Sequence, residues 1–262
     1  MTTVDKIKNL LLDILFPRFC LGCNKEGTYL CDDCKALLEI SEHRYCLCNK
    51  NPLRLPAILP PQLQRCWRVQ AGLSPKDEKG KCKKCNSKKL SGLYFPLSYK
   101  EKALARKLIH FFKYPPYYLR DLANPLASLI IDHFLLLGEK IEELLKNSFL
   151  IPVPLDKKKM KQRGYNQSEE LAKEISKMTK TPLLKNILIK TKSTPAQMDL
   201  PEEKRRENLK NVFVCKNSGL IGKKKIFLVD DVYTTGSTME ECALTLKRAG
   251  AKEVWGMVVA RG

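Results

Sequence analysis

The chain has 262 residues, 44% of them hydrophobic, enough for one large or two small domains with a buried core. Its 48 basic and 28 acidic residues give a formal charge of +20, which attracts phosphate-rich partners at low salt, although a solvated lysine-rich surface gives the same balance. No Gly-x-x-x-x-Gly-Lys-Ser/Thr stretch occurs, which excludes a P-loop nucleotide hydrolase, and no apolar run reaches the length of a membrane span.

Residues 4–16 alternate apolar positions with Asp5, Lys6, Lys8 and Asp13 and predict an amphipathic helix. Acids inside this stretch and the lack of a small-residue cleavage site argue against a secretory signal, so a soluble cytoplasmic protein without membrane insertion is expected. Nine of the eleven cysteines precede residue 90. Cys20-x2-Cys23 and Cys31-x2-Cys34 are two turns, each able to aim both sulfurs at one ion, and together they predict a closed tetrahedral zinc site. The second set is less regular: Cys46-x-Cys48, a lone Cys66, and Cys82-x2-Cys85. Cys46, Cys48, Cys82 and Cys85 are the favoured ligands of a second zinc, with His43 or Cys66 as possible substitutes. Four thiolates leave no open position, so both metals are expected to be structural. Residues 52–61 (rich in Pro and Leu) and 74–80 (polar) read as insertion and loop. Residues 1–92 thus read as a double zinc-ribbon domain.

Residues 93–262 read as one α/β domain. Strands are predicted at 94–99, 149–153, 183–190, 226–229 and 254–259, and helices at 101–113, 117–138 and 167–178, the second with Pro125 inside it as the place for a kink. This alternation argues for a parallel sheet with helices on both faces. Between strand and helix, residues 157–163 place five cations in seven positions: Lys157, Lys158, Lys159, Lys161 and Arg163. They suit a pyrophosphate or DNA contact, or equally an exposed charge run on a turn. Residues 191–211 lack periodicity and read as a mobile lid or a linker. Cys215 and Cys242 read as small apolar residues rather than nucleophiles. His43, His110 and His133 have no triad context, and no catalytic residue is assigned.

The most informative stretch is 226–238. An apolar strand delivers Asp230 and Asp231, then the hydroxyl-rich Thr234, Thr235, Gly236, Ser237 and Thr238, and the pattern turns helical. Hydroxyls and backbone N–H groups at a helix N-terminus cradle phosphate, and adjacent carboxylates accept hydrogen bonds from vicinal sugar hydroxyls. Phosphate beside a polyol points to a ribose-phosphate ligand.

This stretch resembles the type I phosphoribosyltransferase family. The resemblance implies that Asp230 and Asp231 contact the ribose hydroxyls of phosphoribosyl pyrophosphate (PRPP), that Thr234 to Thr238 bind its 5′-phosphate, and that Mg²⁺ accompanies the ligand. Phe112-Lys113-Tyr114, Arg163-Gly164-Tyr165-Asn166-Gln167, and Thr194-x2-Gln197-x2-Leu200 with Arg205 and Asn208 occur in the order seen in the ComF family, as does the cysteine head. That resemblance covers nearly the whole chain, with two departures: the Cys46-x-Cys48 pair is one residue short, and residues 51–81 look inserted. It implies a zinc ribbon ahead of a phosphoribosyltransferase-like domain and a role in natural transformation. There the protein would handle single-stranded DNA near a helicase-like competence partner. Trp67, Tyr165 and Tyr233 are the candidate stacking surfaces. Three functions follow: a DNA-handling competence factor that keeps a PRPP or nucleotide site, an active phosphoribosyltransferase, or a zinc-stapled regulatory scaffold.

Overall fold

The computed structural model describes residues 16–48, 54–55, 81–99, 103–191 and 211–262. The helix expected before residue 16, Cys66, Trp67, and the Thr194, Gln197, Leu200, Arg205 and Asn208 pattern lie outside these residues.

The first described helix is α1 (Asp32–Ala36), followed by strands β1 (Gly92–Tyr94) and β2 (Leu97–Ser98). Helix α2 (Ala103–Lys113) buries Ala105, Leu108, Ile109 and Phe112, the spacing of one helical face. Then come α3 (Ala123–Leu136), α4 (Ile141–Leu145), β3 (Ser148–Pro152), α5 (Lys157–Arg163) and α6 (Gln167–Thr179). Strands β4 (Leu188–Lys190), β5 (Phe213–Cys215) and β6 (Lys225–Tyr233), helix α7 (Ser237–Arg248) and strand β7 (Glu253–Arg261) complete the described chain.

The main sheet has five strands in the order β1-β7-β6-β3, with β2 also paired to β7, and every pairing is parallel. Along β6 the side chains alternate between two layers. Phe227 and Val229 join the layer built by α2, α3 and α6, with Phe112, Leu126, Phe134, Leu171 and Ile175. Ile226 and Leu228 join the opposite layer, with Cys242 and Leu246 of α7. A strand covered on both faces needs apolar residues at every position, which explains the unbroken run at 226–229. Each such side chain, fully buried, contributes roughly 1.5–3 kcal/mol. Gly92 has no side chain because its neighbour across the sheet is Trp255, whose ring lies 2.3 Å from where a Cβ would stand.

Mixed α/β architecture with a parallel sheet agrees with the expected class, but several elements differ. The strand expected at 94–99 is split into β1 and β2 around Phe95 and Pro96, since proline offers no N–H to a ladder. Pro125 does not lie within the body of the helix. The α-helix starts at Ala123, so Pro125 lies in the first turn, where its missing N–H costs nothing. Of the strand expected at 183–190, Leu183 makes only a single bridge to Leu150, while Leu188–Lys190 pairs antiparallel with β5 outside the main sheet. The cation run is a helix, not a turn: Asp156 caps α5 by accepting from the Lys158 N–H at 2.9 Å, and Gly164 ends it at φ 77. Strand β6 also runs four residues further than the apolar pattern, through both carboxylates to Tyr233.

Candidate functional site

A cleft of about 620 Å³ opens where β3 and β6 end and α5, α6 and α7 begin. Parallel strands deliver their C-terminal residues to such a crevice, the usual place for a ligand in an open α/β sheet. Asp230, Asp231, Thr234, Thr235, Gly236, Ser237 and Thr238 all line it.

Asp231 is 4% exposed, and the Lys113 ammonium, contributed by the end of α2, meets both its oxygens at 2.9 and 2.8 Å. Burial alone would depress the Lys113 pKa, but Asp231 and then Asp230 outweigh it and hold the group above the ordinary lysine range. Asp230 accepts from the Ser168 hydroxyl at 2.8 Å and from the Asp231 N–H at 2.9 Å. Burial, then the adjacent Asp231 charge, nevertheless push the Asp230 carboxyl up to about 7. The two carboxylates are therefore unequal: one is neutralised by a cation, the other gains or loses a proton near neutral pH.

Thr235 and Ser237 share a hydroxyl–hydroxyl bond of 3.0 Å at the start of α7. Gly236 turns the chain there with φ 78, and a Cβ at this position would stand 2.2 Å from the Tyr233 hydroxyl. Only glycine meets both demands. The loop therefore wraps Tyr233, leaving the first N–H groups of a 12-residue helix at the cleft.

Of the five basic candidates, Lys159 and Arg163 line the cleft, while Lys157, Lys158 and Lys161 are exposed and are not among its lining residues. Burial, then the charges of Arg163 and Lys113, lower the Lys159 pKa. Cations that repel one another around a hollow are suited to an anion. Gln167, 2% exposed and also lining the cleft, has a side-chain N–H group with no hydrogen-bond partner. A buried unpaired donor facing a cleft fits an absent acceptor. Tyr165 and Tyr233 are 6% and 1% exposed, so neither offers a stacking face; the Tyr165 hydroxyl instead donates to the Phe112 carbonyl. A second hollow of about 770 Å³ adjoins Tyr29 and α3, but its Arg120 pairs with Glu170 at 2.8 Å.

Lys113, Ser168 and Gln167 were not assigned to the site from sequence. Lys113 is 118 positions from its carboxylate, and the Phe112-Lys113-Tyr114 motif that marks it gives no sign of that partner.

Two cysteine tetrads lie outside the cleft. In each, Cys20, Cys23, Cys31, Cys34 and Cys46, Cys48, Cys82, Cys85, all four sulfurs fall within 4.8 Å of one another. Tetrahedral coordination at Zn–S distances of about 2.3 Å puts sulfurs roughly 3.8 Å apart. Cys23–Cys31 and Cys48–Cys82 are 3.5 Å apart, and Cys82–Cys85 3.7 Å. Backbone N–H groups of Cys31 and Cys82 point to the sulfurs of Cys20 and Cys85 at 3.4 and 3.2 Å. Burial, then neighbouring thiols, push Cys34 up to about 12 and Cys48 up to about 11, which a bound dication would reverse. Both tetrads can hold a metal ion. His43 belongs to neither, and the single-residue spacing of Cys46 and Cys48 does not prevent the second from closing.

No helix among the described residues is long and apolar enough to cross a membrane. No family model matches the chain. It is 38% identical over 128 residues to Competence protein F of Haemophilus influenzae, covering 47% of this chain and 55% of that protein. It is 34% identical over 108 residues to the DNA utilization protein YhgH of Escherichia coli K12, covering 40% and 47%. With Competence protein ComFC of Bacillus subtilis it shares 33% identity over 107 residues, 40% of each chain. The chain spans about half the length of the curated relatives it matches. Over the matched part the chain is thus similar to competence and DNA utilization proteins, and with the parallel sheet and the two tetrads this similarity supports a protein of the ComF kind.

Proposed function

We propose that this protein is a competence-type DNA-handling factor of the cytoplasm whose cleft binds the ribose 5-phosphate portion of PRPP or of a nucleotide. The observation that carries the reading is the convergence, in one cleft, of an unequal carboxylate pair, a glycine-turned hydroxyl loop at a helix start, and Lys113, Lys159 and Arg163. Asp230 and Asp231 would accept from the ribose hydroxyls. Thr234, Thr235, Ser237, Thr238 and the N–H groups beginning α7 would hold the 5′-phosphate. Lys159 and Arg163 would face the pyrophosphate, and the unpaired Gln167 amide would donate to a ligand oxygen. Mg²⁺, when bound with pyrophosphate, would offset its charge. Two Zn²⁺ ions in the tetrads would staple an N-terminal domain of residues 1–92 to the sheet domain of 93–262.

Names of the relatives, competence and DNA utilization, support a DNA substrate. On this reading a single strand runs over the exposed Lys157, Lys158 and Lys161 beside the cleft, and a helicase-like competence protein is the partner. A second reading, an active phosphoribosyltransferase, is favoured by the place of Asp230 in the cleft beside Asp231 and the Ser168 hydroxyl. Burial there raises its carboxyl above the ordinary range and suits it to proton exchange beside the reacting sugar.

A thermal-protection screen of PRPP with Mg²⁺, nucleotides, inorganic phosphate and oligonucleotides tests the reading. PRPP with Mg²⁺ is expected to stabilise the protein above phosphate alone; no shift removes the ligand claim and leaves the scaffold function. Single-strand binding should weaken steeply with salt. Replacing Lys157, Lys158 and Lys161 by Gln should lower the log–log salt slope by about 0.7 for each lysine that meets a phosphate. Unchanged slope, or no binding, discards the DNA branch.

A further inference from the structure

The second cysteine tetrad is wired to the back of the hydroxyl loop. The Lys88 ammonium, three residues after Cys85, donates to the Leu47 carbonyl at 2.6 Å and to the Tyr233 hydroxyl at 3.0 Å. Leu47 sits between Cys46 and Cys48, so one side chain joins both halves of the tetrad to the ring around which Gly236 turns. The Arg261 guanidinium donates to the Cys46 carbonyl at 2.8 Å and to that of Cys48, and lies 5.8 Å from the Tyr233 ring centre. The neighbouring Gly262 N–H reaches the Tyr233 carbonyl at 2.9 Å. In the first turn of α7, Glu240 accepts from the Lys89 N–H at 2.6 Å. Two residues of the loop–helix unit, Tyr233 and Glu240, are thus bonded directly by the segment that closes the tetrad, and Gly236 turns against the first of them.

We infer that the second tetrad, through Lys88 and Tyr233, positions the phosphate-binding loop, so that an intact metal loop sets the affinity of the cleft for phosphorylated ligands. Lys88 and Tyr233 are positioning residues: a loop held rigid presents its N–H groups without first being ordered by the ligand. The first tetrad has the equivalent bond elsewhere, from Lys107 of α2 to the Leu21 carbonyl at 2.8 Å. This inference rests on the proposed PRPP site.

The test compares apparent PRPP affinity, from thermal shifts with Mg²⁺, across Lys88→Met, Tyr233→Phe, the double variant and Lys107→Met, with bound zinc measured in each. Loss of a charge-assisted bond predicts about tenfold weaker binding for Lys88→Met and for Tyr233→Phe. The double variant should be no weaker than either single one, zinc should stay at the wild-type level in all, and Lys107→Met should stay within twofold. Should Lys88→Met fail to fold, Tyr233→Phe against Lys107→Met decides. Equal affinities for the Lys88, Tyr233 and Lys107 variants, or additive losses in the double variant, overturn the inference while leaving the ligand site standing. A wild type that PRPP does not protect overturns both.

Discussion

The two cysteine tetrads solve the same coordination problem and serve different parts of the molecule. Cys20, Cys31 and Cys34 pack into the layer formed by α2, α3 and α6, and α1 is tied to α3 by the Lys35–Asp132 pair at 2.6 Å. Cys46, Cys82 and Cys85 pack into the opposite layer beside α7, and the neighbouring Lys88 and Lys89 reach Tyr233 and Glu240. A closed metal site has no chemistry of its own, so what it does is decided by what its loop touches. The first packs into one hydrophobic layer; the second stands behind the hydroxyl loop.

Metal removal is the largest perturbation and separates the two. Zinc supplies folding energy on the order of 10 kcal/mol to small ribbon modules, so complete chelation should unfold the N-terminal region. Partial loss through Cys23→Ser, at the exposed ligand of the first tetrad, should lower the melting temperature and leave one zinc per chain. Cys48→Ser should leave one as well, with a further loss of PRPP protection. Metal analysis with melting curves checks both, and one zinc per chain in the wild type would contradict the paired design.

Acid and base should also act on different regions, with a smaller effect. Acidification protonates the thiolates and releases metal, so stability falls as pH drops. Asp230 works in the other direction. Its folded pKa, near 7, lies above its unfolded value, so the folded state binds the extra proton. Its contribution is fully present below about 4 and is lost as pH rises to 7. Asp230→Asn should therefore be more stable than wild type at pH 8 and lose that advantage toward pH 5. Parallel pH–stability curves would show Asp230 to be unstrained.

Much of this was legible in the sequence because the chemistry was local. Cys-x2-Cys turns and the 226–238 run each place their groups within a few residues, and the structure brings each set together. Features that failed to show depend on chain segments meeting. Nothing near Lys113 announces a carboxylate 118 positions away. Tyr165 and Tyr233 read as stacking surfaces because they neighbour charges, yet one packs on α2 and the other becomes the post for the Gly236 turn. The cation run divides across a helix, with only Lys159 and Arg163 facing inward, a partition that a turn would not make.

Asp231, paired with Lys113, is expected to hold the ribose of a PRPP-like ligand in the cleft. Calorimetric titration of PRPP with Mg²⁺ into zinc-replete protein measures it directly. Saturable binding with one site per chain is expected in the wild type and none detectable in Asp231→Asn. Equal binding by both proteins, or no binding by the wild type, would contradict it.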